Sequence, residues 1–251
     1  MEEIHIASQV LFHLGPLPVT NSIVATWFGM AVLIGIAALA TRQLAMVPTG
    51  AQNVAEAIIE ALYGLVDQVT HDKAKTRQFF PYIATFFFFI LVLNWTELLP
   101  GFGSILVHTA SGDVPLLRSA NTDLNTPLAI ALISVLGTQF LAIGALGFAR
   151  HIRHYLNFKP TFEGVINFFV GLLHALGEVA KVLSFSFRLF GNVFAGEVLL
   201  VVISFLLPYI VPVPFYALEL FVGLIQALVF TMLTLVFLTN ATMVPETEGS
   251  H

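Results

Sequence analysis

Three apolar stretches, each long enough to cross a bilayer once, lie in the first part of the chain. A transmembrane helix needs about 20 consecutive apolar residues to cross a hydrocarbon core about 30 Å thick. Each stretch therefore predicts one membrane-spanning helix. The three predicted spans are residues 22–45, 79–99 and 127–149.

Two longer apolar stretches occupy the last part of the chain, on either side of a turn with three prolines at 208–214. The first, residues 161–207, contains no proline and no cluster of turn-forming residues. As one continuous helix it would be about 70 Å long, so it must either tilt steeply in the membrane or fold into a hairpin. The second, residues 215–243, predicts a last helix that is also long.

Residues 50–71 follow a different pattern, in which acidic and apolar positions lie on separate faces. Glu56, Glu60 and Asp67 share one helical face, while aliphatic residues line another. This pattern predicts an amphipathic helix that lies along the membrane surface or packs on other helices. Residues 1–21 are mixed in character and predict an N-terminal segment on the outer side of the membrane.

The composition fixes the class of protein. Hydrophobic residues make up 57% of the chain and charged residues only 10%, whereas a soluble domain has about 25% charged residues. With the pattern above, this predicts an all-α integral membrane protein, a single membrane domain over residues 1–251, with about five membrane helices and one amphipathic interfacial helix. The absence of cysteine excludes disulfides and thiolate chemistry, and the net charge of −5 argues against nucleic acid as a partner.

Lysine and arginine are concentrated in two connections, residues 42–78 and 149–160. Short loops rich in these residues remain in the cytoplasm. We therefore expect the N-terminus and the turn at 208–214 outside, and the C-terminus inside. Residues 161–207 must then cross an odd number of times, which favours one long tilted helix, antiparallel to the last helix, over a hairpin.

Polar residues inside the long stretch at 161–207 are the first candidates for function. Arg188 lies in its interior, where a charged side chain costs about 2.5–3.5 kcal/mol on insertion scales and usually marks an ion or substrate pathway. Ser184, Arg188 and Asn192 recur at every fourth position and form one stripe of the helix. Glu197 is nine residues beyond Arg188, about 180° around the helix.

Glu219 and Gln226 are seven residues apart and share one face of the last helix. In an antiparallel pair, a register that places Glu197 level with Glu219 also places Arg188 close to the level of Gln226. Two acids that share a site of low dielectric do not both ionise at low cost, so such a pair can hold a proton, as a relay requires. A structural role for each acid, through hydrogen bonds, is the alternative.

Three residues near the cytoplasmic end of the 161–207 helix are candidates for a second water path, or for packing alone: His174, Glu178 and Lys181. The histidines of the expected cytoplasmic loops do not form a pattern typical of metal ligands. We expect neither a metal nor a cofactor.

The segment SFSFRLFGNVFAGEVLL (184–200) closely resembles the signature of subunit a of F-type ATP synthases, S-x-x-x-R-L-F-G-N-x-x-A-G-E. ALVFTMLTLVFL (227–238) resembles the last helix of that subunit. Weaker similarity lies in LNWTELLPG (93–101), where the family tends to have Gly in place of Glu97, and in NTDLNTPLA (121–129). The resemblance covers most of the chain from about residue 79.

The resemblance to this family, in its bacterial form, implies a role for each candidate. Arg188 would be the essential arginine that faces a ring of c subunits, each with one membrane carboxylate, and Asn192 its neighbour towards the ring, on the same stripe as Ser184. Two offset half-channels would lead protons to and from the ring. The outer half-channel would contain Glu197, Glu219 and Gln226. The resemblance also implies b-type peripheral-stalk subunits and the rest of the complex as partners, the bacterial inner membrane as location, and no bond chemistry by this chain.

Two other classes of function fit the composition. A secondary ion-coupled transporter with a midplane Arg/Glu site predicts an internal repeat or paired broken helices, and the Arg188 segment is not repeated elsewhere in the chain. A structural scaffold leaves Arg188, Glu197 and Glu219 unexplained. Between the two ions, proton is the expected cargo and sodium the alternative.

Overall fold

The computed structural model describes residues 8–42, 45–47, 50–99, 101–103, 105–109, 112–147 and 162–242. Within them the chain forms six α-helices, of which all except the second are long and apolar enough to cross a membrane. The expected fold class, an all-α integral membrane protein, is confirmed. The helices are α1 (Asn21–Thr41), α2 (Ala51–Thr70), α3 (Lys73–Thr96), α4 (Asn125–Leu146), α5 (Phe162–Leu206) and α6 (Pro212–Ala241).

Helix α2 is amphipathic and packs through one face on two other helices. Leu62 and Val66 are buried, whereas Glu56 and Glu60 are exposed. Val66 belongs to an apolar cluster with Phe79 and other residues of α3 and α6. This face is therefore covered by the protein itself, and the acidic face remains open.

Helix α3 begins at Lys73, six residues before the start that the apolar pattern predicts. The Asp72 side chain accepts a hydrogen bond of 2.8 Å from the Ala74 amide and caps the helix. The polar residues after Asp72 therefore form the first turns of α3 instead of a loop, because helix propensity and capping do not depend on hydrophobicity.

The two long helices run antiparallel and without interruption. Helix α5 has 45 residues, which gives it a length of about 67 Å, so the segment is one tilted helix and not a hairpin. Helix α6 begins at Pro212, three residues earlier than expected, with Pro214 also in its first turn. Proline is tolerated there because first-turn amides have no helical acceptor.

The interior lies where α3, α5 and α6 meet. The fully buried side chains at this junction are Ile90, Leu93, Leu189 and Phe230. The Phe185 and Phe230 rings stand 4.7 Å apart and join α5 to α6, while the Ser134 and Thr234 hydroxyls, 2.9 Å apart, join α4 to α6. These contacts fix the position of the polar residues on α5.

Two short β-hairpins cover the end of the bundle at which α1 begins and α3 ends. The strands are β1 (Val10–Leu14), β2 (Leu17–Thr20), β3 (Leu106–Thr109) and β4 (Gly112–Pro115), with a 3-10 turn at Ala120–Thr122. Ser22 donates to Asp123 over 2.9 Å, and the Asn21 side chain donates to the Pro115 carbonyl. The start of α1 is thereby tied to the connection between α3 and α4.

Candidate functional site

Arg188 lies half-buried on α5, at the edge of its packed face. Its guanidinium donates to the Ser184 hydroxyl at 3.3 Å and stands 6.0 Å from the Phe185 ring. Ser184 and Asn192, one turn before and after it, are exposed. Within the described part of the chain no carboxylate forms an ion pair with Arg188. We refer to Ser184, Arg188 and Asn192 as the arginine stripe.

Gln226 meets the arginine stripe at Asn192. The Asn192 amide donates to the Gln226 side-chain oxygen at 2.6 Å, and Gln226 is otherwise buried, with no partner for its own Nε2 among the described residues. The sequence register placed Arg188 near Gln226. The hydrogen bond of Gln226 goes to Asn192, one turn further along α5, while the guanidinium of Arg188 is directed along the helix towards Ser184.

Glu219 lies against α5 at a glycine. A Cβ atom added to Gly196 would stand 2.2 Å from the Glu219 Oε1 and 2.3 Å from its Cδ, so no other residue fits there without displacing the carboxylate. Glu219 is buried. Gly196 is four residues beyond Asn192, so the arginine stripe continues towards Glu219.

Glu197 lies beside the connection between α3 and α4, one position beyond the glycine that contacts Glu219. Successive helical residues differ by about 100°, and because Gly196 faces α6, Glu197 is turned towards the connection between α3 and α4. Arg118 and Thr122 of that connection act on its carboxylate. Its Oε2 atom is buried and has no hydrogen-bond partner among the described residues.

Glu97 is a third acid at this end of the bundle, one residue beyond the end of α3. The Ser119 hydroxyl donates to its Oε2. Burial raises the pKa of the Glu97 carboxyl well above its ordinary range, the Ser119 hydrogen bond opposes that shift, and the charges of Glu219 and Glu197 add to it. Glu97, Glu197 and Glu219 are thus close enough to influence one another.

A cavity of about 580 Å³ lies beside Glu97 and Glu197. Its walls come from the end of α3, the β3–β4 hairpin and its continuation, the α5 segment around Glu197, and α6. The polar residues that line it are Gln9, Glu97, Asp113, Arg118, Ser119, Glu197 and Tyr216. We refer to it as the acidic cavity. A cavity of this size with so many polar groups is large and polar enough to accommodate water.

Asn94 is a buried residue between the acids and Gln226. Its amide donates to the Gly223 carbonyl at 3.1 Å, and it accepts from Asn121 at 2.8 Å. Gly223 lies on α6 between Glu219 and Gln226. Polar groups therefore continue from the acidic cavity along α6 to the arginine stripe.

The other three candidates lie nearer the start of α5 than Arg188. Lys181 donates to Glu178 at 2.7 Å and stands 4.3 Å above the Phe237 ring. His174, one turn before Glu178, is exposed. Lys181 and Glu178 therefore pair with each other. Among the described residues, no group of three His, Cys, Asp or Glu could hold a metal ion.

Sequence reasoning missed the parts that Glu97, Ser119 and Arg118 play. A signal was present, because Asn94 and Glu97 are three residues apart and so share a helical face. Arg118 is also the lone lysine or arginine between 100 and 126. The separation of Glu97 from Ser119 in the sequence hid their contact.

Comparisons with known proteins agree with the resemblance in the sequence. The profile of the family described as ATP synthase A chain matches residues 23–239. The ATP synthase subunit a of Moorella thermoacetica is 34% identical over 236 residues, 94% of this chain and 97% of that protein. The subunit a of Gloeobacter violaceus is 34% identical over 95% of this chain and 90% of its own length.

A third relative, the ATP synthase subunit a of Syntrophobacter fumaroxidans, is 35% identical over 86% of this chain and 82% of its own length. The residues that match the family profile include all of α5 and all of α6 except its last two residues. The chain therefore belongs to the subunit a family of F-type ATP synthases and is an integral component of the membrane sector of that complex.

Proposed function

We propose that this chain is the proton-conducting stator subunit of the rotary ATP synthase, with Arg188 as the barrier between two offset half-channels. The observation that carries the proposal is the state of Arg188. It is a charged residue on a membrane helix, and no carboxylate of the described chain pairs with it. A charge at this depth needs a partner, which points to an acid on another subunit.

That partner is the membrane carboxylate of the c-subunit ring. The exposed side chains of Ser184 and Asn192, on either side of Arg188, support a surface that another chain covers. A rotor carboxylate must be neutral to face lipid, because a bare charge there is very costly. Beside Arg188 the ionised form is favoured, so the acid releases its proton to one half-channel and takes a new one from the other.

The outer half-channel runs from the acidic cavity through Glu197 and Glu219 to Gln226 and Asn192. Three observations support this path. The acidic cavity lies beside Glu197, and Glu219 lies against Gly196. Asn192 and Gln226 are joined by a direct hydrogen bond. Arg188 prevents a direct leak between the two sides, since a proton that passed it would meet a like charge in a medium of low dielectric.

The inner half-channel approaches from the opposite end of α5, where His174, Glu178 and Lys181 are its candidate residues. In this arrangement the N-terminus and the acidic cavity lie outside the bacterial inner membrane and the C-terminus lies in the cytoplasm. The whole chain acts as one membrane domain. It binds the c-ring and the b-type stalk subunits and catalyses no bond chemistry of its own. The membrane potential, about 2.3 kcal/mol per charge per 100 mV, sets the direction of transfer.

The test is Arg188→Ala in the intact complex, compared with Arg77→Ala, which changes an exposed arginine at the start of α3. We expect Arg188→Ala to abolish ATP synthesis driven by a proton gradient, while the complex still assembles and the Arg77 variant behaves as wild type. Synthesis at the wild-type rate in an assembled Arg188→Ala complex would contradict the proposal.

A further inference from the structure

We propose that His108 and Asp113, which pair across the β3–β4 hairpin, form a proton-collecting group at the rim of the acidic cavity. His108 takes protons from the water outside, and Asp113 passes them into the cavity. This inference rests on the proposed function and adds to it a step that comes before the outer half-channel.

The register of the hairpin places the two side chains at this rim. His108 and Asp113 lie directly opposite each other on antiparallel strands, as do Leu106 and Pro115 two positions nearer the base. Residues two apart on a strand share a face, and Leu106 and Pro115 line the acidic cavity. His108 and Asp113 therefore lie on the cavity face of the hairpin, further towards its tip.

The pair connects the cavity wall with the surrounding water. Asp113 lines the acidic cavity, and its Oδ1 is hydrogen-bonded to Nδ1 of His108. The described part of the cavity wall does not include His108, whose side chain is 91% exposed, against 52% for Asp113. One residue of the pair thus meets open water, and the other meets the cavity.

The base of the hairpin holds the pair in position. The Leu116 amide donates to the Ile105 carbonyl at 2.7 Å. Val114, next to Asp113, is buried. Because these contacts fix the backbone below the tip, Asp113 stays in the cavity wall while the exposed ring of His108 can rotate.

The other charged groups near the pair are few. Strand β1 packs against β3 and contributes one titratable residue, His13. Arg118 is the cation among the described residues of the cavity wall, and it acts on Glu197. The described titratable and charged groups that share this wall with Asp113 are Glu97, Arg118, Glu197 and Tyr216.

Histidine suits the collecting step because an imidazole binds and releases protons in the neutral range of pH. Protons are scarce there. With a diffusion limit of about 10⁹–10¹⁰ M⁻¹ s⁻¹, protons at about pH 8 reach a single acid roughly 10–100 times per second. Typical turnover numbers are about 1–10³ per second, so a group that also takes protons from buffer molecules raises a limiting supply.

The transfer balances without a further reactant. A hydronium ion or a protonated buffer molecule gives a proton to Nε2 of His108, and the ring becomes an imidazolium. The Nδ1–H bond then breaks as its proton passes to Asp113, which gives the proton to water in the cavity and returns to the carboxylate. The neutral ring then turns so that its protonated nitrogen again faces Asp113, a rotation that exposed side chains complete in picoseconds to nanoseconds.

The test uses the complex in vesicles, with the catalytic sector removed and the cavity side facing the medium, and measures proton flux driven inwards by a membrane potential. His108→Gln and Asp113→Asn are compared with His13→Gln, which removes the exposed histidine of the neighbouring strand. In dilute buffer at about pH 8, where proton supply is limiting, we expect the two hairpin variants to lose flux several-fold. The His13 variant should match wild type.

Chemical rescue separates a proton-collecting role from a structural one. A soluble, membrane-impermeant imidazole such as carnosine supplies the missing group, so it should restore the flux of His108→Gln to near the wild-type level. A loss that carnosine does not restore would overturn the proposal. So would wild-type flux in either hairpin variant in dilute buffer.

Two further points keep the outcome interpretable. His108 and Asp113 are both exposed, so both variants should assemble, and if one does not, the flux of the other decides. Arg188→Ala, measured in parallel, distinguishes the two levels. Normal coupling in that variant refutes the proposed function itself, whereas loss of coupling there with wild-type flux in His108→Gln refutes only the role of the hairpin pair.

Discussion

Glu197 and Arg188 lie on the same helix, nine residues apart, yet their surroundings are opposite in kind. Glu197 faces a cavity whose walls come from this chain, including Arg118 and Ser119. Arg188 lies on a stripe where Ser184 and Asn192 are exposed and where the described chain supplies no carboxylate. Under the proposed function, the difference teaches that one part of the path is formed within the subunit, while the other requires a second chain.

The largest effect is expected from a substitution at Gly196, where the two regions meet. In Gly196→Ala the new Cβ would stand 2.2 Å from the Glu219 carboxylate, so that carboxylate must move away from α5. We expect loss of most passive proton flux through the membrane sector, with the complex still assembled.

The control is Gly177→Ala on the same helix, where an added Cβ meets nothing within 4 Å. Replacing an unhindered helical glycine by alanine is favourable by roughly 0.5–1 kcal/mol, so this variant should keep its flux. Equal flux in the two variants would show that the contact between Gly196 and Glu219 does not matter to the path.

A smaller effect is expected from Asn94→Ala, which tests whether the enclosed region is held by its own hydrogen bonds. The change leaves the Asn121 amide without its acceptor, and an unsatisfied buried group costs about 1–3 kcal/mol. We expect a lower thermal midpoint for the purified subunit in detergent. Thr41→Ala, which removes an exposed hydroxyl bonded to its own helix, should leave the midpoint unchanged.

The smallest effect is expected at the other end of α5, in Glu178→Gln. The pair with Lys181 spans three positions of one helix, a spacing that contributes about 0.2–0.5 kcal/mol, and Lys181 keeps its contact with Phe237. Thermal stability should therefore hardly change. A large loss of flux from the cytoplasmic side, at unchanged stability, would assign Glu178 to the inner half-channel.

Much of the helical architecture was open to sequence reasoning, since runs of apolar residues and the stripe at 184–192 follow from hydrophobicity and helical spacing alone. The rotation of α5 about its own axis, relative to α6, could not be predicted from the sequence. Whether Gly196 or Glu197 faces Glu219 depends on how the helices pack, and a difference of one position turns a side chain by about 100°. The sequence therefore proposed Glu197 and Glu219 as candidates but could not predict which residues each one contacts.

The connections that form the two hairpins were even less accessible from the sequence. Residues 1–21 and 100–126 lack the long periodic patterns that predict elements, yet each contains a β-hairpin. The hairpins depend on contacts with distant parts of the chain, such as Asn21 with Pro115. The acidic cavity is built partly from these connections, so the contact between Glu97 and Ser119 could not be predicted from the sequence.

The unbroken course of α5 has a mechanical consequence. A helix bends most easily at a proline, a bulge or another break in its hydrogen bonds, and α5 has no proline over its 45 residues. Helix α5 is therefore stiff, and the Phe185–Phe230 contact holds it against α6. A sideways force applied at Arg188 is transmitted along α5 to the helices that pack on it. Elastic strain then accumulates in the packing around α5 before α5 itself bends.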